Sequence, residues 1–441
     1  MNNKVKVAVI SLGCDKNRVD TENILYRLVS GGFALTDDMS QADVIIINTC
    51  AFIESAEKEA IDNIFAAARL KTEGKLKRLI VAGCLPMRYG ASLADLLPEV
   101  DAIVGMNDYS AICDIVSDAG RRIELNGSDA PTEKRILSTP PHYAYLKIAE
   151  GCDNHCTYCT IPSIRGRFRS RTIDSLISEA KFLDGMGVGE LILVAQDVTK
   201  YGIDIYGESR LTVLVRRLLS ECSFRKIRLL YCYPESVTDE LIDLIAGEER
   251  MAKYIDVPLQ HIADPVLRRM GRRTTKAEII GLFGKLKAKG IAVRTTLIVG
   301  FPGETEEQFE ELCGFVKEYA PEHLGVFAYS KEDGTPAARM KEQIPKKEKL
   351  RRVNILGEIA KNQAERRNAS MIGKVLDVVY EDIDYDRNMF AGRTEWDAPD
   401  VDARVYFTGK FADVGNVYKV RITGYDGYDL TGEMESDELT E

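Results

Sequence analysis

Six of the ten cysteines fall into two patterns that could carry chemistry. In Glu150-Gly151-Cys152-Asp153-Asn154-His155-Cys156-Thr157-Tyr158-Cys159, three thiols lie within eight residues. Soft thiolates at such density select zinc or iron–sulfur clusters. Three thiolates can hold three irons of a 4Fe–4S cluster and leave the fourth iron open to a ligand. A zinc knot with His155 as fourth ligand is one alternative, although zinc sites favour paired cysteine hooks separated by a longer span and no second hook follows. Inert buried thiols are the other.

The second pattern is dispersed. Cys14 follows Ile-Ser-Leu-Gly, Cys50 follows Ile-Ile-Ile-Asn-Thr and Cys84 follows Ile-Val-Ala-Gly, so each sits just past a strand-like run. In a parallel sheet with right-handed crossovers, successive strand ends emerge along one edge, and three such thiols would converge. That is the arrangement a second three-cysteine cluster needs; three coincidentally buried cysteines are the alternative. The remaining thiols, Cys113, Cys222, Cys232 and Cys313, stand in apolar surroundings and read as small core residues.

The elements that must position these thiols are legible as alternating strands and helices. Strands are expected at 5–12, 44–48, 79–82 and 102–104, with helical patterns at 19–30 and 55–69, which implies an α/β domain with a parallel sheet. Residues 126–141 are turn-rich and read as a linker. Strands are expected again at 143–149, 191–194, 227–231, 254–257, 292–299 and 323–328, separated by helical patterns. Six such units predict an open, partial (βα)6 barrel, with Cys152 directly after its first strand, at the end where α/β folds collect ligands. A charged helical connector at 346–369 leads to five short strands at 375–380, 389–394, 403–407, 417–425 and 429–434, a small antiparallel β-barrel. The expected domains are therefore 1–125, 142–345 and 370–441, joined by 126–141 and 346–369.

Composition fits this plan. A chain of 441 residues exceeds the usual single core, and 45% hydrophobic with 29% charged residues is ordinary for a globular protein. No apolar run approaches the ~20 residues needed to span a bilayer, so no membrane role is expected. The opening residues lack a cationic stretch, an apolar core and a small-residue cleavage site, and read as a strand; the chain is expected in the cytoplasm, where thiols stay reduced and disulfides are not.

The Cys-x3-Cys-x2-Cys spacing with an aromatic before the last cysteine resembles the radical S-adenosylmethionine superfamily. Ser11-Leu12-Gly13-Cys14-Asp15-Lys16-Asn17-Arg18-Val19-Asp20, Asn48-Thr49-Cys50-Ala51-Phe52-Ile53-Glu54-Ser55 and Ala82-Gly83-Cys84-Leu85 resemble the methylthiotransferases. That family joins such an amino-terminal domain to a radical S-adenosylmethionine domain and a terminal barrel called TRAM. The resemblance covers essentially the whole chain. It implies two 4Fe–4S clusters: a radical-generating one on Cys152, Cys156 and Cys159, and a sulfur-handling auxiliary one on Cys14, Cys50 and Cys84. It further implies two molecules of S-adenosylmethionine per turnover, one as methyl donor and one as radical source, and an external electron donor. Tyr158 resembles the aromatic near the adenine. Gly300, Gly303 and Glu304, in Ile298-Val299-Gly300-Phe301-Pro302-Gly303-Glu304-Thr305, match the fifth-strand motif beside the adenosine. The family's Gly-Gly-Glu after the second strand is replaced by Ala195-Gln196-Asp197, which leaves the groups that bind the methionyl amine unassigned. His261, ending the fourth strand, reads equally as a structural, positioning or catalytic residue.

One branch of the family modifies adenosine in transfer RNA; the RimO branch modifies an aspartate β-carbon on the small-subunit ribosomal protein numbered twelve. Ser11-Leu12-Gly13-Cys14, Asn17, Phe52-Ile53-Glu54-Ser55, Ile161-Pro162-Ser163-Ile164-Arg165-Gly166, Gln196-Asp197 and Trp396-Asp397-Ala398-Pro399-Asp400-Val401-Asp402 resemble RimO, while Asp15 departs from it without altering a ligand. Charge argues the same way. The net charge is −10, and residues 370–441 hold seven Lys+Arg against seventeen Asp+Glu. An RNA-binding module offers cations to phosphates; an acidic barrel would repel RNA and attract a basic ribosomal protein. Methylthiolation of transfer RNA is the runner-up. A non-catalytic iron–sulfur or electron-carrier protein is the alternative of another class, against which the 300–305 segment and the open three-cysteine design weigh.

Overall fold

The run Val44–Thr49 is buried at every position, as a β-branched strand covered on both faces must be. In the computed structural model, which describes residues 4–106, 108–127 and 132–435, this strand lies inside a six-stranded, all-parallel sheet. Its order is Ala34–Leu35, Lys6–Ser11, Val44–Thr49, Arg78–Gly83, Ala102–Val104, Arg122–Glu124. The two edge strands, of two and three residues, were not expected; they are too short to show a period. Register aligns Ser11 with Asn48 and Thr49 with Gly83, so the three central strands end almost level.

Six parallel strands form the expected partial barrel: Tyr143–Lys147, Glu190–Val194, Lys226–Leu229, Tyr254–Asp256, Ala292–Val299 and His323–Ala328. They pair as two groups of three, linked by a single parallel bridge from Ile227 to Met251. Period-2 alternation sorts their side chains. Ala144, Leu146, Leu191, Leu193, Ile227 and Leu229 pack outward under the helices. Tyr143, Tyr145, Ile192, Val194 and Tyr254 point inward, where Val19 of the amino-terminal domain and Ala398 of the carboxyl-terminal domain join them. The first strand stops at Lys147 rather than Ala149. Ala149–Glu150 pairs instead with Arg169–Ser170 and leads into the cysteine loop.

The carboxyl-terminal strands Val375–Asp384, Met389–Arg393, Val405–Thr408, Asp429–Met434 and Val417–Asp426 close into a barrel in that order. Four pairings are antiparallel; Val405–Thr408 with Asp429–Met434 is parallel, because the hairpin partner Val417–Asp426 intervenes in sequence but not in space. The helix Lys346–Ala369 connects the two barrels and ends with Asn368 Nδ2 donating to the carbonyls of Gly427 (3.1 Å) and Tyr428 (2.9 Å).

In the turn-rich stretch, 128–131 lie outside the described residues, as do Asp437, Glu438 and Glu441 at the acidic terminus. The described part, 132–141, is pinned. Arg135 is fully buried, 2.9 Å from Glu22 and 3.1 Å from Glu179.

Candidate active site between two cysteine sets

Each amino-terminal cysteine owes its place to a strand end. Cys14 caps the helix Asp15–Ser30, and Cys84 opens the helix Cys84–Tyr89. Gly13 has φ +88°, and a Cβ there would lie 2.5 Å from Cys50 Cβ and 2.9 Å from its Sγ, so the Cys14 and Cys50 loops touch. Buried amides and hydroxyls stitch the loops together. Asn17 Nδ2 donates to the carbonyls of Leu12 (2.6 Å) and Asn48 (3.2 Å), and Asn48 Nδ2 donates to Thr21 Oγ1 (2.9 Å). Thr49 Oγ1 donates to Ala82 O (2.6 Å) and accepts from Leu85 N (3.2 Å). Burial pushes the Cys84 thiol up to about 12; Arg165 opposes the shift, and Cys14 and Cys50 add to it. Cys50 is likewise raised, first by burial, with Cys14 contributing and Arg165 opposing. The three sulfurs share one electrostatic neighbourhood.

The central trio sits on the loop after Ala149–Glu150. Its turns are fixed by Cys152 N donating to Gly166 O (3.1 Å) and Thr157 N donating to Met270 O (2.9 Å). Backbone N–H groups aim at two sulfurs, Asn154 N at Cys152 Sγ (3.5 Å) and Ile161 N at Cys159 Sγ (3.4 Å). Such contacts favour the thiolate that iron requires, against the burial that pushes the Cys159 thiol up to about 12. Cys156 Sγ lies 3.7 Å from Tyr233 Oη. His155, the zinc-knot candidate, is exposed with φ 52°, whereas Cys152 and Cys156 are buried. Among the described residues no three His, Cys, Asp or Glu groups can share one ion. Three thiolates with no fourth His, Cys, Asp or Glu beside them among the described residues suit a multi-iron cluster, in which each thiolate takes a different iron, better than a four-coordinate zinc.

The other expected residues fall nearby, some in different roles. The Tyr158 ring meets Phe301 edge-on at 6.5 Å, joining the cysteine loop to the 300–304 turn. Glu304 is 2% exposed and faces that turn from behind: its Oε2 accepts from Gly300 N and from Phe301 N (2.9 Å), and its Oε1 is 3.1 Å from Arg352. Space beside the Cα of Gly300 is taken by Lys349, and beside that of Gly303 by Glu342. His261 is fully buried, with Nδ1 accepting from Ala263 N (3.0 Å) and Nε2 3.8 Å from Glu304 Oε1. It faces the turn rather than the sulfurs. Gln196 Nε2 donates to Glu150 (3.0 Å), and Asp197 accepts from Asn154 of the cysteine loop (2.8 Å).

Two arginines emerge that sequence reasoning had not singled out. Arg272 stacks 4.2 Å over the Tyr233 ring; its Nη2 donates to Pro258 O (2.9 Å), while its buried Nε and Nη1 have no partner among the described residues. Arg165, inside the 161–166 motif, is 2.9 Å from Glu150 and 3.5 Å from Cys84 Sγ, so it spans the interface between the two cysteine sets. The signal for it in the sequence was its place in the motif Ile161-Pro162-Ser163-Ile164-Arg165-Gly166. A cleft of ≈ 250 Å³ lies elsewhere, beside Ala292 and His323, which begin their strands; it is at the opposite end of the barrel from the cysteines.

Comparison with known proteins agrees with this architecture. Residues 6–105 match the uncharacterized protein family UPF0004, 146–316 the radical SAM superfamily and 372–434 the TRAM domain. The radical S-adenosylmethionine methyltransferase TsrM from Kitasatospora setae, solved with cobalamin and a [4Fe-4S] cluster, shares the fold (TM-score 0.54, 15% identity, 76% of this chain and 74% of that one). The ribosomal protein uS12 methylthiotransferase RimO of Lachnoclostridium phytofermentans is 46% identical over 98% of this chain and 100% of its own. That of Geobacter sulfurreducens is 44% identical over 99% and 100%. With such identity along nearly the whole of both chains, the protein belongs to the RimO family of radical S-adenosylmethionine methylthiotransferases.

Proposed function

We propose that this chain places a methylthio group on the β-carbon of an aspartate of ribosomal protein uS12. The observation that carries the reading is full-length similarity to RimO proteins in a chain whose two cysteine trios face one domain interface. Cys152, Cys156 and Cys159 would hold the radical-generating 4Fe–4S cluster and leave one iron open to S-adenosylmethionine. Cys14, Cys50 and Cys84 would hold the auxiliary cluster. When bound, these groups supply one-electron chemistry able to remove an unactivated hydrogen, together with the sulfur and methyl that replace it.

The chain's own residues orient and exclude water. Asp197 fixes Asn154, whose amide points at Cys152. Tyr158 joins the loop of the central trio to Phe301, and Glu304 holds the 300–304 turn on which Gly300 and Gly303 would border the adenosyl group. No residue is assigned as a general base, since abstraction of a hydrogen atom from carbon needs none. An external electron donor is required.

The acidic carboxyl-terminal barrel supports a basic protein as partner and not a polyanion. Among the described residues no helix is long and apolar enough to cross a membrane; a ribosomal protein as substrate supports a cytoplasmic site of action. The test is anaerobic reconstitution followed by mass spectrometry of uS12 and of transfer RNA. A methylthio gain on uS12 is expected. Product on RNA alone would overturn the substrate assignment. Triple-alanine variants of each cysteine set should each lose one cluster; retention of both in either variant would overturn the ligand assignment.

A further inference from the structure

Arg165 ends the helix Ile161–Arg165, which begins two residues past Cys159, and is 3% exposed. Its guanidinium divides its donors. Nη1 reaches both oxygens of Glu150 (2.9 Å each) and Asp20 (3.3 Å), while Nη2 donates to Cys84 Sγ at 3.5 Å. Lys147 Nζ completes the group, 2.7 Å from Glu150 and also paired with Asp20. Two cations thus meet two carboxylates in a buried space before any cluster is counted, and Nη2, directed outside that balance, points at a sulfur of the amino-terminal trio.

We propose that Arg165 is a positioning residue for the amino-terminal cluster, a fixed cation hydrogen-bonded to Cys84 that holds that cluster's reduction potential up. The inference rests on the reading that Cys14, Cys50 and Cys84 bind a cluster. Reduction adds negative charge, so an adjacent cation and an N–H···S bond both favour the reduced form; hydrogen bonds to sulfur and net charge are among the chief determinants of cluster potential. Low solvent exposure keeps the interaction from being screened. Arginine suits the task because its planar fork serves the carboxylates through one nitrogen and the sulfur through another, whereas the single nitrogen of lysine must divide itself between them. Glu150 acts in the opposite sense: it lies two residues before Cys152 and partly neutralises the guanidinium. One side chain therefore ties the loop of the central trio to a ligand of the other.

The test uses the full chain with Cys152, Cys156 and Cys159 replaced by alanine, reconstituted anaerobically so that only the amino-terminal cluster contributes, with iron and sulfide counted. Redox titration followed by electron paramagnetic resonance should show the potential falling in Arg165→Gln, returning part of the way in Arg165→Lys, and rising in Glu150→Gln. Opposite shifts in the arginine and glutamate variants are what a merely structural tie between domains does not produce. An unchanged potential in Arg165→Gln with the cluster intact would overturn the proposal, as would shifts of the same sign in Arg165→Gln and Glu150→Gln. If Arg165→Gln fails to hold iron, Glu150→Gln decides, and absence of a rise there overturns the proposal. Absence of a cluster in the parent itself would instead refute the ligand reading on which the proposal stands.

Discussion

Gly13 shows how closely the amino-terminal loops are fitted. A methyl group at this position would meet Cys50 Cβ at 2.5 Å, and its φ of +88° is one that side chains resist. Gly13→Ala is therefore expected to destabilise the domain by about 1–3 kcal/mol and, because Cys50 must move, to lower iron retained at the amino-terminal trio while sparing the central one. Thermal unfolding and iron counts on the single variant check both parts. Glu304 offers a second case. Its carboxylate answers the amides of Gly300 and Phe301 and the guanidinium of Arg352, all in a space without water access. Without Glu304, Arg352 keeps Glu348 (2.8 Å) and Glu306 (3.3 Å), but the buried amides of Gly300 and Phe301 lose their acceptor, at a cost of about 1–3 kcal/mol each. Glu304→Ala should thus speed hydrogen exchange along Ala292–Val299, and an unchanged exchange pattern would show that the turn holds without it. Both residues lie in segments whose sequence had drawn notice. Gly13 and the cysteines could be placed from strand-end logic alone, since Cys14, Cys50 and Cys84 each follow a recognisable apolar run. Glu304 could not be read as a buried brace, because Arg352 is 48 residues away on the helix Lys346–Ala369.

At the scale of elements, the inward and outward faces of the partial barrel follow from the alternation in Tyr143–Lys147 and Glu190–Val194, which is why six strands were legible. The strands Ala34–Leu35 and Arg122–Glu124 were not, since edge strands this short are created by their neighbours rather than by a local pattern. The loop at 394–402 was legible only as a motif. In the folded chain it enters the start of the partial barrel, where Asp402, its side chain 1% exposed, accepts from Tyr254 Oη (2.7 Å), Arg294 Nε (3.1 Å) and Ala398 N (2.9 Å). No spacing rule links residue 402 to residue 254, so this plug is a product of the tertiary fold. Its partners make it an anchor of the carboxyl-terminal barrel. Asp402→Ala leaves a tyrosine hydroxyl and a guanidinium short of an acceptor, and about 3–5 kcal/mol of docking is expected to be lost. Protease sensitivity near 394–402 should rise while the barrel strand Val405–Thr408 stays protected from exchange. If strand and loop open together, the barrel depends on docking for its own stability.

Across the whole molecule, buried charges cross every domain boundary. Arg135 ties Glu22 to Glu179, Arg88 ties the amino-terminal domain to Glu332 (2.9 Å), and Arg393 reaches both Glu190 and Glu381 (2.6 Å). Such pairs add little net stability against an apolar contact, but each tolerates one geometry, and that rigidity would suit the two cysteine sets if, as proposed, they hold clusters that work together. The boundary between the two barrels adds a titratable member. His323 is buried; Nε2 donates to Trp396 O (2.8 Å) and lies 3.3 Å from Asp397, and Nδ1 is 3.6 Å from Asp402. Burial disfavours its charge, and Arg367 adds to that, yet Asp402 and Asp397 outweigh both and hold the imidazolium above the ordinary value of 6.5. A proton bound more tightly in the docked state stabilises docking fully below that ordinary value, and the contribution fades as pH climbs through the raised one. Docking of the carboxyl-terminal barrel should therefore weaken as pH rises above about 6.5, read as faster exchange at Thr394 to Asp397. His323→Gln should flatten this part of the profile, because the imidazole is the group whose proton the docked state holds more tightly. A profile of equal slope in the variant would assign the pH dependence to some other group.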